Sequence, residues 1–275
     1  MAEIAGVFAV SHTPVMTNLP DAPDAAISGP VYDCFKRIGR EIVELRPDSI
    51  ILISDDHLHN FFLDNLPAFC IGAAAHYDSP VEGWLKVEKR PVPGDVALGA
   101  HLLESVLDAG FDPSLSMELT LDHGMVTPLE LAGVAAHYPT VPILVNCVQP
   151  PLPRMRRCIA LGATLRDAIH SYKGAERVAV LATGGLSHDV GTPRMGFVNE
   201  EFDRRFLDLV AAGDPEALAE YSQQEVNTAG NGAEEVRNWL VAHGIAGCTG
   251  FDLYHYHPVN EWYTGIALGR WGAKA

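Results

Sequence analysis

The chain has 275 residues, of which 48% are hydrophobic and 20% charged, with a formal net charge of −16. That balance suits a large globular domain with a full core and is unlike disordered or low-complexity sequence. The acidity excludes nucleic acid and anionic membrane surfaces as partners, because no basic stripe exists to neutralise phosphates.

The five cysteines, Cys34, Cys70, Cys147, Cys158 and Cys248, are odd in number and form no C-x-x-C pair, so reduced thiols are expected. Met1-Ala2-Glu3 opens no signal peptide, and no apolar run approaches the ~20 residues of a membrane span. A soluble cytoplasmic protein is expected.

In chain order, residues 3–10 read as a first strand and 14–24 as a Pro- and Asp-containing loop. Helical spacing of Val31, Phe35, Ile38, Ile42 and Leu45 predicts a helix from Pro30 to Leu45. The run Ser49-Ile50-Ile51-Leu52-Ile53 reads as a strand buried on both faces, continuing to Ser54. Asn60 to Leu63 is an aromatic stretch, Phe69 to Gly72 is apolar, and Val81 to Val87 suits an edge strand or hairpin arm. A helix is expected from Asp95 to Ala109, stopped by Gly110. Leu115 to Leu119 reads as a short strand, Pro128 to Ala136 as a short helix, and Val141 to Val148 as a buried strand ended by Pro150-Pro151. Arg154 to Tyr172 is helical and 177–183 a strand. Glu200 to Ala211, Pro215 to Tyr221 and Asn231 to His243 follow as helices, Gly250 to His257 as a strand and Val259 to Trp271 as a closing helix. Strands alternate with helices without repeat or linker. The reading is one α/β domain over residues 1–275, with a largely buried central mixed sheet flanked by helices. Dinucleotide, P-loop and nucleophile-elbow motifs are absent.

Four of the 12 histidines stand at apparent strand ends: His12, His57, His123 and His188. Functional groups of α/β proteins gather at the carboxyl ends of strands, so these four imidazoles point to one shared site. Carboxylates available to it are Asp55, Asp56, Asp122, Asp189, Glu234 and Glu235. Val236, Trp239 and Leu240 form the apolar face of one helix, and at ~100° per residue Glu235 lies about 90° from its centre, with Glu234 almost opposite. Glu235 therefore borders the interior while Glu234 faces water; as a plain structural residue, Glu235 would be a first-turn carboxylate after an Asn231 cap. Two histidines and one carboxylate on one face of a metal leave open positions, as in non-haem Fe(II) oxygenases, though Zn(II) accepts the same ligand types.

Several stretches together resemble the class III extradiol ring-cleaving dioxygenases of the LigB superfamily, in the 2,3-dihydroxyphenylpropionate/catechol 1,2-dioxygenase branch. They are Ser11-His12-Thr13-Pro14; Asp56-His57 with Asn60-Phe61-Phe62 and Pro67-Ala68-Phe69-Cys70; Asp122-His123-Gly124 with Pro128-Leu129-Glu130; Gly184-Gly185-Leu186-Ser187-His188; Glu235-Val236-Arg237-Asn238-Trp239; and Tyr256-His257-Pro258 with Glu261-Trp262. The resemblance implies a LigB-like fold, Fe(II) on His12, His57 and Glu235, and His123 and His188 as the acid–base pair. It also implies that Asp122 stands beside His123 as an orienting carboxylate, and that a small aromatic substrate and dioxygen react in a single-chain homo-oligomer. His59 is a second choice as ligand, Asp56 a supporting residue of His57, and Asp55 a structural or surface residue. Phe61, Phe62 and Trp239 are either walls for the ring or plain core aromatics. The segment between His188 and Glu235 is shorter than in the resembling branch, which leaves 2-aminophenol, protocatechuate and gallate open as substrates. A Zn-dependent hydrolase and a non-catalytic binding protein are the readings of other classes.

Overall fold

The fold is described from a computed structural model covering residues 1–135 and 137–272. The chain begins with β1 (Glu3–Val10), a helical turn α1 (Val15–Asn18), α2 (Ala25–Leu45) and β2 (Ser49–Ser54). Next come β3 (Phe69–Gly72), β4 (His76–Tyr77), β5 (Val92–Pro93), α3 (Val96–Asp108), β6 (Ser114–Ser116) and α4 (His123–Leu131). The second half runs β7 (Thr140–Val145), α5 (Met155–Ser171), β8 (Arg177–Thr183), α6 (Glu200–Ala212), α7 (Pro215–Glu225), α8 (Val236–Ile245), β9 (Phe251–Val259) and β10 (Thr264–Trp271).

Eight strands form one mixed sheet in the order β6-β3-β7-β2-β8-β1-β10-β9, and β4 and β5 form a separate two-stranded ribbon. The four central strands β7, β2, β8 and β1 are parallel. Their register aligns Val10 with Thr183, Ala182 with Ile53 and Ser54 with Leu144, so four carboxyl ends finish at one level. Alternation sends Phe8, Val10, Ile50 and Leu52 into a core under α2 and α4. Val7, Ala9, Ile51 and Ile53 enter a second core under α5, α6 and α8. Both faces are covered, which is why these strands read as unbroken apolar runs.

Caps set several helix starts. Asp24 Oδ1 accepts from the Ala26 N–H (2.8 Å), Asp95 Oδ1 from the Leu98 N–H (3.0 Å), and Asn199 Oδ1 from the Phe202 N–H (3.1 Å). The Asp24 cap starts α2 at Ala25, five residues before the expected Pro30, which sits inside the helix.

Four other expectations are corrected. Residues 259–271 do not form a closing helix: β10 pairs antiparallel with β9 and with β1. Ile266 and Leu268 face one core and Ala267 and Trp271 the other, so burial on both sides hides the two-residue period. Tyr263, at φ 64°, turns the chain between the strands, and Gly265 and Gly269 disfavour a helix. Val81 to Val87 form turns rather than a strand. The expected strand 115–119 is reduced to Ser114–Ser116, and the helix expected at 128–136 begins earlier, at His123; its expected last residue, Ala136, lies outside the described residues. Among the described residues, no helix is long and apolar enough to cross a membrane.

Candidate functional site

His12 stands two residues past β1, His57 three past β2 and His188 five past β8. His123 is the first residue of α4 rather than the end of a strand. All four imidazoles, with Glu235, line one cavity of about 380 Å³ at the carboxyl ends of the central strands. That volume is ample for a small aromatic ligand. The rings of His12 and His57 lie 5.5 Å apart, His57 and His123 4.1 Å, and His12 and His123 5.7 Å. Gly124 permits this crowding, because a Cβ there would come within 2.8 Å of His57 Cε1 and 3.1 Å of His12 Nε2.

Glu235 is 5% exposed and its Oε2 accepts from the Gly185 N–H at 2.6 Å. It closes a 3-10 turn over Gly232–Glu235 immediately before α8. Asn231 makes no side-chain cap there; its Oδ1 accepts from the Val190 N–H instead. Glu234 does not face water as expected: it is mostly covered and pairs with buried Arg237. Glu235 Oε1 lies 3.5 Å from His57 Nε2 and 3.4 Å from His188 Nε2, and Oε2 lies 3.8 Å from His12 Nε2.

Asp55 is not a surface residue. It is wholly buried, with Oδ2 3.3 Å from His57 Nε2, and belongs to a group with His12, His57 and Glu235 that could hold a metal ion. Its Oδ1 accepts from Asn238 Nδ2, while Oδ2 has no hydrogen-bond partner. Two ligand atoms at about 2.1 Å from one ion, 90–109° apart, are separated by roughly 3.0–3.4 Å. The distances among these side chains are close to that range, and a buried unpartnered carboxylate oxygen needs a cation or a proton. The donor set therefore fits a divalent metal.

The charges agree. Burial pushes His12 down to about 3, so it stays a neutral donor. Burial lifts Asp55 to about 7, against the partial relief given by His57. Burial also disfavours ionised Glu235, but His12 and His188 outweigh it and hold the carboxyl well below its usual range. For His57 the desolvation that would lower it is overcome by Asp55 and Asp122.

Asp122 serves a different imidazole from the one expected. Its Oδ2 accepts from His57 Nδ1 (2.9 Å) and the His57 N–H (3.0 Å), and its Oδ1 caps α4 at the Gly124 N–H (2.9 Å). His123 Nδ1 lies instead 2.6 Å from Glu82 Oε1, on the segment expected to be an edge strand. Asp56 accepts from the backbone N–H groups of His59, Asn60 and Phe61, building the turn that carries His57 past Leu58, itself at φ 59°. His59 Nε2 lies 3.2 Å from Glu82 Oε1. Trp239 is a core residue packed on Phe206, Phe251 and Trp271, Phe62 is exposed, and neither it nor Phe61 lines the cavity; Trp84, Trp262 and Tyr263 do.

Sequence reasoning thus set Asp55 aside and missed Glu82. Asp55 carried a signal, since residues i and i+2 leave an extended strand on the same side and His57 is two residues on. Glu82 carried none: it is one carboxylate in an irregular segment.

A mostly parallel sheet whose strand ends gather imidazoles and carboxylates around one cavity defines the class: an α/β protein with a candidate metal-dependent active site. Comparison with known proteins gives the family. The family described as the catalytic LigB subunit of aromatic ring-opening dioxygenase matches residues 6–267, and the chain belongs to it. It is 27% identical to a 2,3-dihydroxyphenylpropionate/2,3-dihydroxicinnamic acid 1,2-dioxygenase of Photorhabdus laumondii, over 95% of each chain. It is 29% identical to proteins of the same name from Rhodococcus rhodochrous, over 95% of this chain and 96% of that one, and from Cupriavidus necator, over 94% and 95%. The fold is shared with an uncharacterized protein of Escherichia coli K12, with a TM-score of 0.66 at 18% identity over 97% of this chain and 100% of the other.

Proposed function

We propose that the chain is an Fe(II)-dependent extradiol dioxygenase that opens a catechol-type ring with dioxygen to a muconic semialdehyde-type product. The observation that carries the reading is the convergence of His12, His57 and Glu235 with His123 and His188 on one cavity. His12, His57 and Glu235 would hold the iron, with Asp55 in reach of it. Bound there, Fe(II) supplies a Lewis acid that acidifies a catechol hydroxyl, and the redox partner that dioxygen needs.

The remaining work falls to side chains of this chain. The Leu186 carbonyl lies 2.9 Å from His188 Nδ1 and accepts its proton, which leaves the Nε2 lone pair as the basic atom. We assign His188 as the base that takes a substrate hydroxyl proton and His123 as the acid that returns one as the ring opens. Trp84, Trp262 and Tyr263 give the cavity its apolar wall, suited to a flat ring. A match over about 95% of both chains to a relative of the 2,3-dihydroxyphenylpropionate branch favours a homo-oligomer without a second subunit type, and five free cysteines favour a reducing cytoplasm.

The test is oxygen uptake by anaerobically Fe(II)-loaded protein with a panel of catechols, aminophenols and hydroxybenzoates. His12→Ala, His57→Ala and Glu235→Ala should each lose iron, while His188→Gln should keep iron and lose most turnover. A Glu235→Ala protein with stoichiometric iron and full activity would show the ligand assignment to be wrong. A second reading, a Zn(II) hydrolase, rests on the same imidazole and carboxylate donors, which zinc also accepts. Zinc in the purified protein with oxygen-independent turnover would select it.

A further inference from the structure

Glu82 has a definite geometry that the proposed chemistry has not used. It lies between the ribbon strands β4 and β5, in a segment tied to the sheet end by hydrogen bonds from the Val81 N–H to the Leu121 carbonyl (2.9 Å) and from the Leu121 N–H to the Asp78 carbonyl (2.8 Å). Further along, the segment closes on itself where Ser79 Oγ donates to the Arg90 carbonyl (2.8 Å). This anchoring pushes Glu82 inward until only 3% of it is exposed.

Its Oε1 meets two hydrogen-bond donors, the backbone N–H of His123 at 3.1 Å and His123 Nδ1 at 2.6 Å, and His59 Nε2 lies 3.2 Å away. The backbone contact matters physically. His123 opens α4, so its N–H has no partner within the helix, and Asp122 Oδ1 is already occupied by the next N–H, that of Gly124. A carboxylate at this helix end is also favoured by the aligned peptide dipoles. Glu82 therefore grips the main chain and the ring of one residue with one oxygen atom, which fixes the χ angles of His123 as well as its tautomer.

We propose that Glu82 is the positioning residue of His123: it accepts the Nδ1 proton and thereby presents Nε2 to the cavity as the atom that exchanges a proton with substrate. Asp122 does the equivalent work for His57, so each of the two imidazoles 4.1 Å apart has its own carboxylate. Glu82 Oε2 is buried and makes no hydrogen bond. The assignment rests on the reading of His123 as an acid–base group.

Two measurements test it independently. In full-length zinc-loaded protein, which is diamagnetic and inert to oxygen, nitrogen-15 correlation spectra of the histidine rings report the tautomer, with His123 assigned by loss of its signals in His123→Gln. The unsubstituted protein should carry the proton on Nδ1, and Glu82→Ala should shift the ring towards the other tautomer. In the iron-loaded protein, Glu82→Ala should lower kcat by about 10–100-fold, within the ~10²–10⁴-fold that general acid–base catalysis supplies. KM and iron content should be unchanged, and Glu82→Asp should restore part of the loss. An unchanged His123 tautomer in Glu82→Ala would overturn the proposal, as would a second equivalent of tightly bound metal that disappears in this variant. Full turnover in His123→Gln would refute the acid–base role of His123 while leaving the tautomer result to stand or fall by itself.

Discussion

Asp122→Asn is the sharpest test of how the proposed metal site is held. The native carboxylate is fully buried and anionic, because the attraction of His57 outweighs the desolvation that would neutralise it. With Oδ1 on the Gly124 N–H and Oδ2 on both the N–H and Nδ1 of His57, it forces the Nδ1–H tautomer and leaves Nε2 as a donor atom. An Asn can keep the cap through its carbonyl, but its NH₂ then faces the two His57 donors. To avoid opposed protons the imidazole must move its proton to Nε2, the atom nearest Asp55 and Glu235. Loss of such an outer carboxylate typically costs 10–100-fold in metal affinity, about 1.4–2.7 kcal/mol. The buried backbone N–H left without an acceptor costs the fold a further ~1–3 kcal/mol. Anaerobic competition titration with Co(II) or Fe(II) measures the first quantity, and denaturant melts of the metal-free protein measure the second. If affinity matched that of the unsubstituted protein while kcat fell, Asp122 would be acting on His123 rather than on His57, and the reasoning here would be refuted.

Two other outcomes follow from geometry and titration. In Gly232→Ala the new Cβ would lie 2.0 Å from His188 Nε2, so the ring must swing away. Turnover should fall by about 100-fold, the order expected for a misplacement of ~1 Å, with metal content intact by elemental analysis. Buried His243 accepts from the Trp271 indole N–H at 3.0 Å, and burial depresses it from 6.5 to about 4. Its folded pKa lies below the unfolded one, so the stability it contributes is complete above pH 6.5 and is lost as pH falls towards 4, by about 3 kcal/mol in all. His243→Asn, which keeps an acceptor for Trp271, should flatten that part of the curve of unfolding free energy against pH. Parallel curves for the two proteins would contradict it.

What the sequence disclosed depended on how each residue is exposed to its neighbours in the chain. The four central strands were legible because parallel strands covered on both faces are runs of Val, Ile, Leu and Ala, and His12, His57 and His188 were legible because those runs end in them. Glu235 was picked out by helical phase, but the phase is not what buries it: it ends a 3-10 turn, and every residue of α8 is buried, so the helix has no polar face to set against an apolar one. The same two-sided burial that made the central strands plain disguised β10, whose residues from Thr264 to Gly269 are all buried and show no two-residue alternation. Asp122 was read against its neighbour in sequence, whereas a capping residue points its side chain along the helix axis, here to His57. Glu82 reaches His123 from 41 residues away through a segment without regular structure, and no local pattern carries such a contact.

The level alignment of the four parallel strand ends has a consequence for how this protein is made. Residues 12, 57 and 235 are distant in sequence and meet only when β7, β2, β8 and β1 have paired and α8 has docked. An assembly dominated by such remote contacts folds slowly, since loop closure precedes any reward. An unfolded chain offers no cluster of these donors, so an ion they bind belongs to the native state alone. At a free concentration one hundred times its dissociation constant, it adds about 2.7 kcal/mol to stability. Metal supply would then govern how much of the protein persists in the cell, as well as how fast each molecule turns over.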